Sequence, residues 1–579
     1  MIEKVIEWSL KNRFLVLCGA LLLVALGIRA VRLTPVDAIP DLTENQVLIY
    51  ADWMGRSPQE VEDQVTFPLS TGLQGLAGVK EVRATSMFGF SLATIIFEDK
   101  VDTYFARARV LERLNFLQGQ MPEGVTPQLG PDASGLGWVY QYYLDVDPAK
   151  APEGGYDLAQ LRSLQDWKIR YDLASVQGVA EVASIGGFVK QYQVELSSTK
   201  MRAANVTLME VMTAVQNANL NVGGKTVEEN GAEFVLRGIG LVTGPEDLEL
   251  VTVKAVEGTP IYLKDIATIQ IGGDYRRGAL DLNGREAVGG TVVMRTGENA
   301  KAVIERVKQK IDVIAASLPP GVTIRPFYDR SELIDRTIDT LKHALIEEIV
   351  LVTLAHIIFL WHFRSILIVT LPLPISILVS FLLMKEFDIT SNIMSLTGIA
   401  IAIGVLVDAA IVVTENVIRH CETEEKEKGR PLTAAERWQT TLSASQQVGR
   451  PIFFAMGIIL LAFLPVFALT GQEGKLFHPL AFTKTFAMLG ATVLGVTLVP
   501  VLCSFLVRGP YHEEDRNIVM GFLMRIYDPA LSWALNHRKT VVGAAVILLA
   551  FCLLLAFGLP RATAKQLADA GFTRTADLF

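Results

Sequence analysis

Seven stretches of this chain are too long and too apolar to be left in water. One runs from Phe14 to about Ala30, and six more lie near 344–361, 366–384, 393–413, 451–470, 483–506 and 540–559. Each has close to the ~20 apolar residues that a bilayer core demands of a spanning helix. One such run alone could be a buried core helix, but a succession with short connections makes that reading poor for the set. Half of the 579 residues are hydrophobic and only a fifth are charged, which suits a chain partly dissolved in lipid.

A signal peptide competes for the first run. The run is long for an h-region, and Val31-Arg32-Leu33-Thr34-Pro35 follows it instead of a small-residue cleavage site. We therefore read an uncleaved helix with Lys4, Lys11 and Arg13 inside. The segments 414–450 and 507–539 then also lie inside, as loops carrying Arg419, Lys426, Lys428, Arg430, Arg437 and Arg450, and Arg508, Arg516, Arg525, Arg538 and Lys539. The opposite loops carry only Lys385 and Lys475. This positive-inside bias places residues 33–341 outside the cytoplasm.

That outer segment holds none of the four cysteines, so no disulfide framework is available to it. Cys18, Cys503 and Cys552 sit in apolar runs, Cys18 and Cys552 reading as small apolar fillers. Cys421 falls in the charged loop. The net charge of −8 gives no hint of nucleic acid. No P-loop or dinucleotide fingerprint stands in the chain, and no nucleophile–base pair suggests an enzyme.

The outer segment alternates between strand and helix periods. Residues 46–53 read as a strand. Ser57, Pro58 and Glu60 open a helix as cap, first-turn proline and capping-box partner. Strands at 79–86 and 92–97 and a helix at 102–121 complete a ferredoxin-like β-α-β-β-α order. The pattern recurs with a strand at 137–147, a helix at 158–176 and strands at 179–185 and 187–196. A helix at 207–220 with short strands to 273 reads as an insertion. Strand 287–295, helix 299–318 and strand 322–328 close the second unit. The predicted fold is a polytopic α-helical membrane protein with a large α+β region of two such subdomains.

One residue points to chemistry. Asp408 lies inside the run 393–413, where a carboxylate costs about 3 kcal/mol or more. Desolvation favours its neutral form, so such an acid can take up and release protons. Glu415, seven residues on, falls on nearly the same helix face about 10 Å away, and Ala409 and Ala410 permit a close neighbouring helix. A proton relay through Asp408 and Glu415 is the functional reading. An ordinary interfacial carboxylate is the bland alternative for Glu415.

The run NIMSLTGIAIAIGVLVDAAIVVTEN (392–416) resembles the fourth-span signature of the heavy-metal branch of the resistance-nodulation-division (RND) permeases. It is closer to the copper/silver type than to the divalent type, which has Asp-Phe-Gly and Asp-Gly-Ala where Ala400-Ile401-Ala402 and Asp408-Ala409-Ala410 stand. The segments 34–47, 130–144, 161–173, 328–341 and 469–491 also resemble the family. The resemblance implies an inner-membrane homotrimer in lipid, with residues 33–341 periplasmic, joined to a periplasmic adaptor and an outer-membrane channel. Protons would drive export of a metal ion as substrate, with no resident cofactor.

On this frame residues 1–32 are the first span. Residues 33–135 are the first porter subdomain, 136–196 with 274–330 the second, and 197–273 a docking-like insert. Residues 331–507 hold spans two to six, 508–539 a cytoplasmic connector, 540–559 a seventh span and 560–579 an atypical tail. The family has a second half beyond this point, so a truncated or split permease is expected, and an inactive product is its alternative. A divalent-metal or multidrug exporter is the alternative for substrate, although aromatics are only 8% of the chain. The copper type's methionine ladder is partly present. Met394 and Met488 stand where that type has methionines, Cys503 stands near another as a soft thiol, and Leu406, Val413 and Tyr275 replace others. Soft sulfur ligands favour Cu(I). Simple packing is the alternative for both methionines. Met54, Met87, Met201 and Met294 carry no readable spacing, and His356 and His362 read as interfacial.

Overall fold

The computed structural model describes residues 1–360, 365–508 and 518–557. The tail 560–579, Arg516 and His362 lie outside the described residues. A short helix α1 (Ile2–Lys11) precedes α2 (Arg13–Leu33), the first expected span.

The first α/β unit begins with β1 (Gln46–Asp52), whose side chains alternate between buried and half-buried. The helix after it has three pieces: α3 (Pro58–Val61), a π segment (Glu62–Thr66) and α4 (Phe67–Leu73). Its start is the capping box read from the sequence. Ser57 Oγ accepts the Glu60 N–H at 3.3 Å and the Glu60 carboxylate accepts the Ser57 N–H at 3.0 Å. Strands β2 (Val79–Met87) and β3 (Phe90–Phe97), helix α5 (Thr103–Leu117) and the two-residue β4 (Gln128–Leu129) follow. The sheet order is β2-β3-β1-β4, all antiparallel. Its inner face buries Val47, Ile49, Ala93 and Ile95 against Val65, Leu69, Val110 and Leu114.

The second unit repeats this order. It starts with β5 (Trp138–Val146), α6 (Leu158–Leu164), a π segment (Gln165–Ile169), α7 (Arg170–Ala174) and β6 (Val179–Gly186). Gly186 and Gly187 then both take positive φ, +79° and +64°, and the chain leaves the sheet. The insert holds β7 (Lys190–Leu196), α8 (Ser198–Ala203), α9 (Leu208–Ala218), β8 (Val222–Glu229), β9 (Ala232–Gly238), α10 (Pro245–Glu249), β10 (Thr252–Val256), β11 (Thr259–Tyr262), α11 (Leu263–Ile266) and β12 (Ala267–Gly273). The strand expected at 187–196 does not join the second unit: β7 pairs with β12, closing the insert on itself. The glycine pair is the physical reason. After β13 (Leu280–Leu282), the unit resumes with β14 (Arg285–Met294), α12 (Ala300–Ala315) and β15 (Val322–Asp329). The order β6-β14-β5-β15 matches the first unit, with β13 pairing the start of β14.

Strand β15 runs straight into α13 (Arg330–Leu360). Then come α14 (Ser365–Thr370), α15 (Pro372–Glu386), α16 (Ile393–Lys428), α17 (Ala434–Ala462), α18 (Gly471–Leu506), α19 (Ile518–Asn536) and α20 (Arg538–Phe557). Among the described residues six helical stretches are long and apolar enough to cross a membrane, at 13–33, 365–386, 393–428, 434–468, 471–506 and 538–556. The remaining expected span, 344–361, falls on α13.

The segment 414–450 is not a loop. Helices α16 and α17 run through it and break only between Lys428 and Ala434. The charges are helix-compatible: Glu422 pairs with Lys426 at 2.9 Å one turn apart. Gly429 at φ +62° ends α16, and Thr433 with Glu436 caps α17. Cys421 is therefore a buried residue of α16. Cys18 and Cys552 are exposed on α2 and α20 instead of filling gaps, because they fall on outward helix faces. Helix α18 is the centre of the bundle. Glycine allows its closest contacts: a Cβ at Gly490 would stand 3.1 Å from Val379 of α15, and one at Gly398 of α16 would strike the Thr483 hydroxyl.

Candidate functional site

Helix α16 begins at the buried Asn392. Its Oδ1 accepts the N–H groups of Met394 and Ser395, each at 3.0 Å, satisfying amides that a helix start leaves free. The Thr483 hydroxyl of α18 donates to the Ser395 carbonyl at 2.8 Å, and the Ser380 hydroxyl of α15 donates to the Thr483 carbonyl at 3.0 Å. Three helices are thus tied at one level near the outer end of α16.

Four turns further in, Val407, Ala409 and Ala410 are buried while Asp408 between them is exposed. The alanines face α15 and α18; a Cβ at Gly495 would stand 3.8 Å from that of Ala409. That tight contact turns Asp408 to the open flank of the helix. Glu415 is exposed two turns on, about 10 Å along the axis. Among the described residues neither carboxylate has a hydrogen-bond or ion-pair partner.

Two charged residues of the bundle were missed. Glu348 of α13 reaches the same region: a Cβ at Gly404, one turn before Asp408, would stand 3.7 Å from its carboxylate oxygen. Lys484 of α18 is buried, its Nζ 3.3 Å from the centre of the Phe463 ring. The ring face offsets part of the cost of a cation in hydrocarbon. The signal was available, since Glu348 lies inside the run 344–361 and Lys484 inside 483–506.

The sulfur residues occupy separate levels. Met394 is half-buried in the first turn of α16. Met488 is wholly buried with Met456 of α17 among Ala402, Ala487 and Ala491. Cys503 is buried with its Sγ 3.9 Å from the Thr414 hydroxyl. Met488 and Cys503 are about 22 Å apart along α18, so Met394, Met488 and Cys503 do not share one coordination sphere. Met456 carried no spacing signal. Val413 packs in the bundle core, Tyr275 is exposed against Phe88, Met294 lies in the second unit's core, and Met54 and Met87 are exposed. Among the described residues no group of three or more His, Cys, Asp or Glu side chains is placed to hold a metal.

Two repeated α/β units on a bundle with an acid inside a spanning helix define a permease of the RND class. The AcrB/AcrD/AcrF family model matches residues 5–576, and the chain belongs to that family. Heavy-metal efflux proteins are among the relatives it is similar to. It is 46% identical over 551 residues to the cation efflux system protein CusA of Escherichia coli O157:H7, covering 94% of this chain and 52% of the relative. It is 37% identical over 558 residues to the cobalt-zinc-cadmium resistance protein CzcA of Cupriavidus metallidurans, covering 96% of this chain and 52% of the relative. The crystal structure of a heavy metal efflux pump superposes with a TM-score of 0.82 at 30% identity, over 96% of this chain and 52% of the pump. The chain spans about half the length of the relatives it matches. It is a multi-pass inner-membrane protein of a transporter family, with a large periplasmic region.

Proposed function

We propose that this chain is the N-terminal half of a proton-driven heavy-metal efflux permease, with Cu(I) or Ag(I) as its substrate and Asp408 as its proton carrier. One observation carries the reading: an exposed carboxylate on a spanning helix, set between the buried Val407, Ala409 and Ala410. Neutral, Asp408 tolerates an apolar surface on that flank. Ionised, it demands water or a cation, so each protonation state favours a different placement of α16. Glu415 would pass protons on towards the cytoplasm. Met394, Met488 and Cys503 supply soft ligands at successive levels, which favours monovalent copper or silver. The working assembly would be a homotrimer in lipid with a periplasmic adaptor and an outer-membrane channel.

The test is metal tolerance in a bacterium stripped of its own exporters, expressing the chain alone or together with the part of a full-length relative that it does not cover. Asp408→Asn is expected to abolish restored tolerance, and Glu415→Gln to reduce it. Efflux that survives Asp408→Asn rules out the proton-carrier role. Tolerance restored to cobalt, zinc or cadmium but not to copper or silver overturns the substrate assignment.

A further inference from the structure

The segments 34–47 and 328–341 take no part in the proton step above, yet the fold brings them together. Arg330, the first residue of α13, is 3% exposed. Its Nε donates to Asp37 at 3.0 Å, one Nη donates to the Leu136 carbonyl, and the other Nη has no partner. Asp37 lies in the segment leaving α2, whose backbone runs parallel to the residues that open α16. The Asp37 N–H donates to the Ser391 carbonyl at 2.9 Å, the Ser391 N–H to the Pro35 carbonyl at 2.8 Å, and the Ile393 N–H to the Ala38 carbonyl at 3.1 Å. Ala38 and Ile334 are buried in the core of the second α/β unit, with Val36 and Ile338 packed on it. The end of α2, the starts of α13 and α16, and the second unit therefore converge on one ion pair, whose Arg330 is buried and whose Asp37 is half-buried. Removing one member would strand a buried charge, and a well-packed apolar pair would fasten these elements at no greater cost.

We propose that Asp37 and Arg330 are positioning residues that form the joint through which movement of α16 reaches the second α/β unit. The inference rests on the reading of Asp408 as proton carrier. Protonation acts on α16, α16 begins at the segment stitched to Asp37, and Arg330 ties Asp37 to the strand–helix junction of β15 and α13. A wrong joint and a wrong carrier give different results in one experiment.

Hydrogen–deuterium exchange is measured on the full chain in lipid nanodiscs as a double-mutant cycle. Asp408→Asn is expected to change deuterium uptake around residues 404–412 and also in β15 and α12. With Asp37→Asn and Arg330→Gln added, the change at 404–412 should persist and that in β15 and α12 should be lost. Asp37→Glu with Arg330 kept, which preserves both charges, should retain it. A change in β15 and α12 that survives the broken pair overturns the joint. No change at 404–412 on Asp408→Asn overturns the carrier reading, and the joint with it. Should the doubly neutral variant fail to fold, Arg330→Lys replaces it: the ammonium keeps the charge but loses the planar fork that meets Asp37 and Leu136, and the response in β15 and α12 should fall by at least about half, with an undiminished response counting against the joint.

Discussion

The two α/β units share one strand order and differ in how they end. The first closes on β4, two residues long, and passes the chain to its neighbour. The second closes on the eight-residue β15 and continues without a break into α13. Both carry a π segment in the first helix, and in each a polar residue turns inward from it. Thr66 meets Ser91 and Ser86 at 2.8 and 2.9 Å, and Gln165 meets Tyr142 at 3.0 Å and Ser184 at 3.3 Å. A π turn adds one residue to the helix circuit and re-aims the side chains after it. The shared topology thus serves two mechanical roles, and only the second unit is continuous with the bundle.

Three tests break that comparison, taken from the largest effect down. A Cβ at Gly289 of β14 would fall on the Tyr142 carbonyl oxygen. Gly289→Ala should therefore destabilise the second unit by about 3 kcal/mol, whereas Ala93→Gly in β3 should cost the first about 1 kcal/mol. Pulse proteolysis of the full chain, with fragments assigned to each unit, would show whether the losses are this unequal.

The inward polar contacts come next. Gln165→Leu strips the buried Tyr142 hydroxyl of its partner, which should cost about 2 kcal/mol. Thr66→Val should cost less, about 1 kcal/mol, because Ser86 and Ser91 are paired across β2 and β3 and can turn to each other. Equal losses in urea titrations followed by exchange would show that the two π segments are energetically alike.

The smallest effect is a pH dependence confined to the second unit. Burial pushes the Asp329 carboxyl up, but Lys308 and Ser331 overcome this and hold it below the ordinary value of 3.8. A lowered carboxyl stabilises the fold above the ordinary value, and that stability is lost as pH falls through the lower folded value. Asp329→Asn should flatten the acid limb of the second unit's stability and leave the first unit's unchanged. An unchanged acid limb in that variant would remove Asp329 as its cause.

Much of the periplasmic fold was legible because its signals are local. The Ser57–Glu60 box declares a helix start within four residues, and the helices expected from 102 and 207 do begin there, on side-chain caps of Asp102 and Thr207 that the structure shows. Strands β1 and β3 alternate as a half-buried sheet must. The partner of 190–196 was not legible, since the period of a strand does not say which neighbour it pairs with. Neither were the π segments, whose residues Glu62–Thr66 and Gln165–Ile169 keep an ordinary helical pattern. The charged stretch after Thr414 looked like a loop because the end of the apolar run was read as the end of the helix. Asp408 stood out as a lone charge among apolar residues. Its flank could not be read, because that depends on which side of α16 the residues around Gly495 approach. Asp37 and Arg330 are 293 positions apart, and nothing local joins them.

Helix α16 has 36 residues, about 54 Å of length against a hydrocarbon core of about 30 Å. Helices α17 and α18 hold Pro451, Pro479 and Pro500 in their interiors, where each can bend and absorb strain. No proline interrupts α16. It behaves as a tiller: a tilt of about 5° about one end sweeps the other by about 5 Å, so a small rotation held at one face arrives at the other undamped.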